Sequence, residues 1–361
     1  MKILVGMPSE DSWGGPISSE PPFVEALRAS GEDVTAVVYV YGDKERPTPI
    51  LERVRRVVAT AHRFRKLLKK NEFDVIHLNT AFDLKTILRD SFSLFWMRPG
   101  NGKIFFKLHG SEAERFLNAN FIVRRLIEYL KRRVDGFGVH TREELEHFVG
   151  LGFDARKFFF VKNAVTIHAG LASDYSKDQK KPDEHFKLLF VSRFIPAKGL
   201  LETIRACAIL RERAVDFELF AVGDGETRDE AERLTAELDL SDRVVFTGYI
   251  PESDVTRHFF DSDIFVFPTR HPEGFPNALF KAVAVGLPIV TTATRAAADY
   301  LSEPQNCLYS SQNPEVIAAR VSELIENLPL RKTMSNANLA FGKTILPFEI
   351  AREFIEIYES L

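Results

Sequence analysis

The 361-residue sequence predicts two doubly wound α/β domains. Three observations carry this. Apolar runs of strand length recur along the chain, each followed by a stretch with helical spacing, which argues for parallel sheets. Several runs, such as KILVG, KLLFVS and DIFVF, are apolar at nearly every position, as expected of strands covered by helices on both faces. The alternation stops once, over 166–186, where TIHAGLASDYSKDQKKPDEH is polar and without period, and it restarts at Lys187.

In the first half the strands read 2–6, 33–40, 74–78, 103–108, 135–139 and 158–162. In the second they read 187–192, 217–222, 243–247, 263–267, 288–292 and 306–309. Helical period is clear over 199–213, 226–239 and 313–327, and an amphipathic helix over 347–361 follows Pro347. The expected domains are 1–167 and 168–346, with 347–361 packing back on the first. Ligands of such sheets lie at the carboxyl ends of the strands, so both sets of ends are expected to face one cleft.

Composition excludes several classes. Hydrophobic residues at 45% and charged residues at 27% give a globular chain with a real core rather than a disordered one. Cys207 and Cys307 lie far apart with no partner motif, so neither a disulfide framework nor a zinc site follows, and a reducing, cytoplasmic setting fits. The apolar run at the amino end is too short for a signal peptide, and no run approaches the length of a membrane span. The 31 Phe cluster in runs such as Phe105-Phe106 and Phe158-Phe159-Phe160, which read as buried, so no nucleic-acid partner is expected. The net charge of −3 is unevenly spread, basic in the first half and acidic in the second, and a basic half suits a membrane surface or an acidic acceptor.

The most informative stretch is EGFPNALFKAVAVGLP, 273–288. Glu273 falls at the carboxyl end of a strand. Gly274 allows close approach of backbone to a ligand. Pro276 fits the first helical position, and the N–H groups of Asn277 and its neighbours would favour an anion such as a diphosphate. Phe275 completes the loop. In VSRFIPAKGLLETI, 191–204, Arg193 and Lys198 follow a strand and are suited to neutralise a departing nucleoside diphosphate. The turn Gly223-Asp224-Gly225 is an incomplete dinucleotide fingerprint, since Arg228 stands where a third glycine would be, and a plain tight turn explains it equally well.

Near the amino end Gly14 and Gly15 precede a helix and can offer N–H groups to a diphosphate, or simply form a loop. His109, at the end of 103–108, can bond a sugar hydroxyl or supply charge stabilisation, although a lone His is more often structural. Over 50–70, Ile50, Leu51, Val54, Val57, Val58, Ala61, Phe64 and Leu68 form one helical face, and eight Lys and Arg occupy the rest against Glu52 alone. The apolar face is expected on the sheet, while the positive face is able to attract an anionic membrane surface from the inner side. Asp261-Ser262-Asp263 has the letters of a metal motif but immediately precedes a strand and reads as a turn, so no metal is expected.

Together these residues resemble the retaining glycosyltransferases of family four, which have the GT-B fold of two Rossmann-like domains. The resemblance covers nearly the whole chain and is strongest over 187–309, where Arg193, Lys198-Gly199, Gly223-Asp224-Gly225, FTGYIP and SDIFVFPT…EGFPNALF match in order and spacing. It implies transfer of a hexose-type sugar from a nucleotide-sugar donor, bound by the second domain, to a saccharide or lipid-linked acceptor on the first. It also implies a setting in polysaccharide or lipopolysaccharide biosynthesis and a front-face mechanism that needs no metal or other cofactor. By the same resemblance Arg193 and Lys198 clamp the diphosphate, Glu273 holds hydroxyls of the transferred sugar, Gly15 lies at the diphosphate and His109 near the reacting sugar. One departure stands out. The second acid of the family's Glu-x7-Glu pattern, which accepts from the donor ribose, is Lys281 here. Lysine has donors only, so it is left to donate to a ribose oxygen or a phosphate. Two other readings stand beside transfer: a nucleotide-sugar-binding protein without catalysis, and an epimerase or phosphorylase on the same architecture.

Overall fold

The computed structural model describes residues 1–9, 15–39, 49–167 and 180–361. It divides into two compact units, one of Met1–Ala164 with Pro347–Leu361 and one of Val165–Leu346.

The first unit holds a six-stranded sheet of β1 (Lys2–Met7), β2 (Asp33–Val38), β3 (Val75–Phe82), β4 (Lys103–Ser111), β5 (Gly136–Val139) and β6 (Phe158–Phe160) in the order β2-β1-β3-β4-β5-β6. The second holds β7 (Phe186–Val191), β8 (Phe217–Val222), β9 (Val244–Gly248), β10 (Ile264–Phe267), β11 (Ile289–Thr292) and β12 (Leu308–Ser310) in the order β12-β11-β10-β7-β8-β9. Every ladder between these strands is parallel. The order reverses between β1 and β3 in the first sheet and between β7 and β10 in the second, and ligands of such sheets settle beside that reversal. The linker and the loop carrying Gly14 fall partly or wholly outside the described residues.

Thirteen helices are described: α1 (Gly15–Ala29), α2 (Ile50–Lys70), α3 (Leu84–Met97), α4 (Phe121–Arg133), α5 (Arg142–Gly150), α6 (Leu200–Glu212), α7 (Arg228–Glu237), α8 (Glu252–Asp261), α9 (Asn277–Ala284), α10 (Arg295–Tyr300), α11 (Pro314–Glu326), α12 (Leu328–Lys343) and α13 (Pro347–Ser360). Local chemistry sets their starts. Asp83 Oδ1 accepts from Thr86 N at 2.8 Å while Thr86 Oγ1 accepts from Asp83 N at 2.9 Å, a capping box that opens α3. Thr141 and Glu144 do the same for α5.

The helix α13 returns to the first unit. Phe354 is fully buried there, 4.7 Å from Phe23 and 5.8 Å from Phe105 between ring centroids, and Tyr358 hydrogen-bonds His77. Burying one such ring stabilises by roughly 1.5–3 kcal/mol.

Three sequence expectations change. The strand expected to end at 108 runs to Ser111, after a register shift of its partner β3 between Thr80 and Phe82, so His109 lies within β4. Pro276 is the N-cap of α9, one position before the first helical residue. The apolar face of α2 is only partly covered: Thr60, Ala61 and Phe64 are buried, but Ile50, Leu51, Val54 and Val58 are exposed.

Candidate functional site

In the second unit the loops after β7, β8 and β10 are knitted together by backbone. Ser192 N donates to Val222 O at 3.1 Å, Phe194 N to Asp224 O at 2.8 Å, and Arg270 N to Ala197 O at 2.7 Å. The close approach explains the glycines. A Cβ on Gly223, whose φ is +136°, would lie 1.9 Å from Ser192 O, and one on Gly225 would lie 2.5 Å from Phe194 O. These two glycines therefore brace the Arg193 loop from behind. Gly199 serves the same purpose against Pro268 O.

The knitted loops bring Lys198 and Glu273 into an ion pair at the reversal point of the sheet. Lys198 is 5% exposed, which for a lysine demands a partner. Burial, and then the Arg193 guanidinium, push its ammonium down to about 7, and the Glu273 carboxylate is its ion-pair partner. Arg193 itself is exposed. His271 lies beside them, its Nδ1 3.9 Å from Glu273 Oε1, and burial together with Lys198, Arg193 and Arg295 pushes its imidazole down to about 4. It is neutral at physiological pH. The arrangement is a neutral imidazole and one carboxylate among cations, suited to an anion with hydroxyls attached.

The rest of the 273–281 stretch divides. Gly274 and Pro276 are buried in the turn, and Asn277 opens α9 beside them. The Phe275 ring turns inward and stacks on Phe280 at 3.7 Å between centroids, so its side chain belongs to the core and only its backbone is left for a ligand. Lys281 is 6% exposed and pairs with Glu252, at the start of α8, with Thr256 Oγ1 3.3 Å away. Its ammonium is committed to that carboxylate. Asp263 Oδ2 accepts from Lys180 Nζ and from Lys187 N, each at 2.7 Å, at the amino end of the sheet and away from these loops.

In the first unit His109 sits in a buried polar cluster. Lys107 Nζ meets Glu20 Oε1 at 2.6 Å, and both side chains are wholly buried. His109 Nε2 lies 2.7 Å from Asn79 Oδ1 and 3.7 Å from Glu20 Oε1. Asn79 Nδ2 donates to Gly6 O at 3.0 Å, which fixes Oδ1 as the acceptor and puts the His109 proton on Nε2. Burial and the Lys107 charge hold His109 well below its usual range, as they do His77 and His140, both near 3. A neutral imidazole of this tautomer has its acceptor nitrogen at Nδ1 and carries no positive charge. Gly15 opens α1, the helix that carries Glu20, and its carbonyl accepts from Ser18 Oγ at 3.0 Å. Gly14 lies outside the described residues.

Sequence reasoning missed Glu20, Lys107, Asn79 and Glu252. Lys107 had a signal: a lysine inside the run KIFFKLH sits where a parallel strand is covered on both faces. The other three carry none.

Comparison with known proteins agrees with this architecture. Residues 172–340 match the family model described as Glycosyl transferases group 1, and residues 21–168 match that described as Glycosyltransferase Family 4. The amylovoran biosynthesis glycosyltransferase AmsK of Erwinia amylovora is 35% identical over 111 residues, 29% of this chain and 27% of that protein. The putative colanic acid biosynthesis glycosyltransferase WcaL of Salmonella typhimurium is 28% identical over 190 residues, 50% of this chain and 47% of that protein. The matched stretches thus span half or less of these relatives. Among solved structures, Anabaena HepE in complex with UDP-glucose superposes with a TM-score of 0.73 at 17% identity, covering 100% of both chains. Sucrose-phosphate synthase from Thermosynechococcus elongatus superposes with 0.72 at 16% identity, covering 100% of this chain and 99% of the other. Identity this low speaks for the fold alone, two α/β domains of parallel sheet.

Proposed function

Because this chain belongs to the glycosyltransferases of the group 1 and family 4 type, with the GT-B fold, we propose that it moves a hexose-type sugar from a nucleotide-sugar donor to a saccharide or lipid-linked acceptor, retaining the anomeric configuration. The observation that carries the reading is the Lys198–Glu273 pair beside Arg193, at the carboxyl ends of β7 and β10. A dianionic diphosphate fits the cations, and a sugar carried on it brings hydroxyls that Glu273 accepts. HepE, with the same fold, is a structure with UDP-glucose bound. The first unit would hold the acceptor and the second the donor.

In the proposed step the bond between the anomeric carbon and the phosphate oxygen breaks on the face where the acceptor oxygen attacks. The leaving phosphate takes the acceptor proton, and Arg193 and Lys198 stabilise the charge that develops on it, a task that requires no metal. His109, neutral and accepting through Nδ1, orients a hydroxyl rather than moving a proton.

The α2 helix supports a second proposal, attachment to an anionic membrane surface. Its exposed Ile50, Leu51, Val54 and Val58 stand among Arg53, Arg55 and Arg56; α3, packed on α2, adds exposed Phe95, and α4, packed on α3, adds exposed Phe121 and Ile122. Apolar side chains among guanidinium groups match the boundary between lipid headgroups and acyl chains. Among the described residues no helix is long and apolar enough to cross a membrane.

The test is donor hydrolysis and transfer with a panel of UDP-, GDP-, ADP- and dTDP-sugars. One donor is expected to be cleaved, and Arg193→Ala and Glu273→Ala are each expected to abolish that cleavage with the fold intact. Near-normal rates in both variants would sink the site. Donor binding without turnover, with acceptors supplied, would favour a binding protein, and interconversion of the sugar without an acceptor would favour an epimerase.

A further inference from the structure

The loop after β11 carries a cation that the sequence motifs did not single out. The strands β7, β10 and β11 are consecutive neighbours in the second sheet. Their carboxyl ends carry, in turn, Arg193 and Lys198, then His271 and Glu273, then Arg295. The Arg295 Nη1 donates to Pro272 O at 3.4 Å, one residue before Glu273. Its guanidinium therefore lies against the same short loop as the Lys198–Glu273 pair, and its charge is one of the three that depress His271.

Arginine is a costly residue at this position. Its φ is +30°, in the region that favours glycine, and it is the first residue of α10, where a cation faces the positive end of the helix. Backbone held in such a conformation is characteristic of sites where the side chain is needed. A phosphate oxygen is a stronger acceptor for a guanidinium than a carbonyl such as Pro272 O, which Arg295 meets at 3.4 Å.

We infer that Arg295 is a third cationic contact for the donor diphosphate, acting with Arg193 and Lys198 from the adjacent strand ends. This rests on the nucleotide-sugar reading above. Lys198 offers a point charge, whereas a guanidinium presents a planar fork that grips two oxygens and fixes the direction of the diphosphate. Arg295 thereby positions the leaving group relative to Glu273.

The test is calorimetric titration of the wild type, Arg295→Gly, Arg295→Lys and Arg193→Ala with inorganic pyrophosphate, UDP, GDP and the nucleosides uridine and guanosine. Glycine suits the backbone conformation and removes only the side chain. The Arg295→Gly variant is expected to lose on the order of tenfold in affinity for pyrophosphate and for the preferred nucleoside diphosphate, with nucleoside affinity and melting temperature unchanged. Arg295→Lys is expected to recover part of the loss. Wild-type affinity in Arg295→Gly, with a clear loss in Arg193→Ala, would overturn the inference and leave Arg295 as a brace for the Pro272 loop. An equal loss for nucleosides and diphosphates would overturn it too. A wild type that binds none of these phosphates would overturn the nucleotide-sugar reading itself.

Discussion

Lys281, on α9, and Glu252, at the start of α8, are joined as a buried ammonium and a half-exposed carboxylate, with Thr256 Oγ1 3.3 Å from the ammonium. The position that the family pattern gives to an acid thus holds a cation, and an acid from the preceding helix comes to it. Restoring the family residue alone, by Lys281→Glu, would set two carboxylates against each other. Stability of the second unit is expected to fall by about 2–4 kcal/mol, and the double exchange Lys281→Glu/Glu252→Lys to recover more than half. Chemical denaturation of the wild type, the single variants Lys281→Glu and Glu252→Lys, and the double variant checks this; additive effects in the double variant would mean that the two side chains do not interact.

The titration of Lys198 sets a pH dependence for donor binding. Its ammonium, depressed to about 7, is charged below that pH and lost above it. Affinity for a diphosphate diester such as UDP-glucose or GDP-mannose, whose own charge is constant in this range, is expected to weaken as pH rises from 6 to 8. The limit is about tenfold per pH unit, since one proton is involved. In Lys198→Arg the dependence is expected to vanish because arginine stays charged. A flat wild-type profile would mean that Glu273 keeps Lys198 protonated throughout.

Lys107 and Glu20 predict a large effect on folding. Both are wholly buried at 2.6 Å, so Lys107→Met strands a carboxylate in the core and is expected to cost about 3–5 kcal/mol. The companion Lys107→Met/Glu20→Gln leaves no buried charge and is expected to be markedly more stable than the single variant. Urea midpoints of the set decide it.

For the membrane proposal, Arg53→Glu/Arg55→Glu/Arg56→Glu is expected to reduce sedimentation with phosphatidylglycerol vesicles several-fold, while Phe95→Ser/Phe121→Ser weakens it with less dependence on salt. Equal sedimentation of all three proteins would rule this surface out.

The frame was legible because its signal is local. All twelve described strands overlap apolar runs read from the sequence, since parallel strands covered on both faces leave unbroken runs. The helices 50–70 and 347–361 were equally plain, because one-sided burial imposes a period. Legibility failed where the cause lay elsewhere in the chain. Nothing near Lys281 announces Glu252, which is 29 positions away on another helix. The inward turn of Phe275 depends on Phe280 and Tyr300, and the extension of β4 past Leu108 depends on an irregularity in its partner β3. The bare face of α2 shows the limit of periodicity, which reveals an apolar stripe but not what covers it. Arg295 sat in an alanine-rich stretch where only its backbone dihedral marks it.

The return of α13 to the first unit has a consequence on the ribosome. Phe23, His77 and Phe105 are made early, but the Phe354 and Tyr358 that cover them are made only after the whole of Val165–Leu346. At about 5–20 residues per second, the roughly 180 intervening residues leave that surface bare for some 10–40 s of synthesis. The second unit, being continuous in the chain, is free to finish first. The earlier-made half of the protein is thus the later to mature, and through that interval its exposed aromatic face is a natural client for a chaperone.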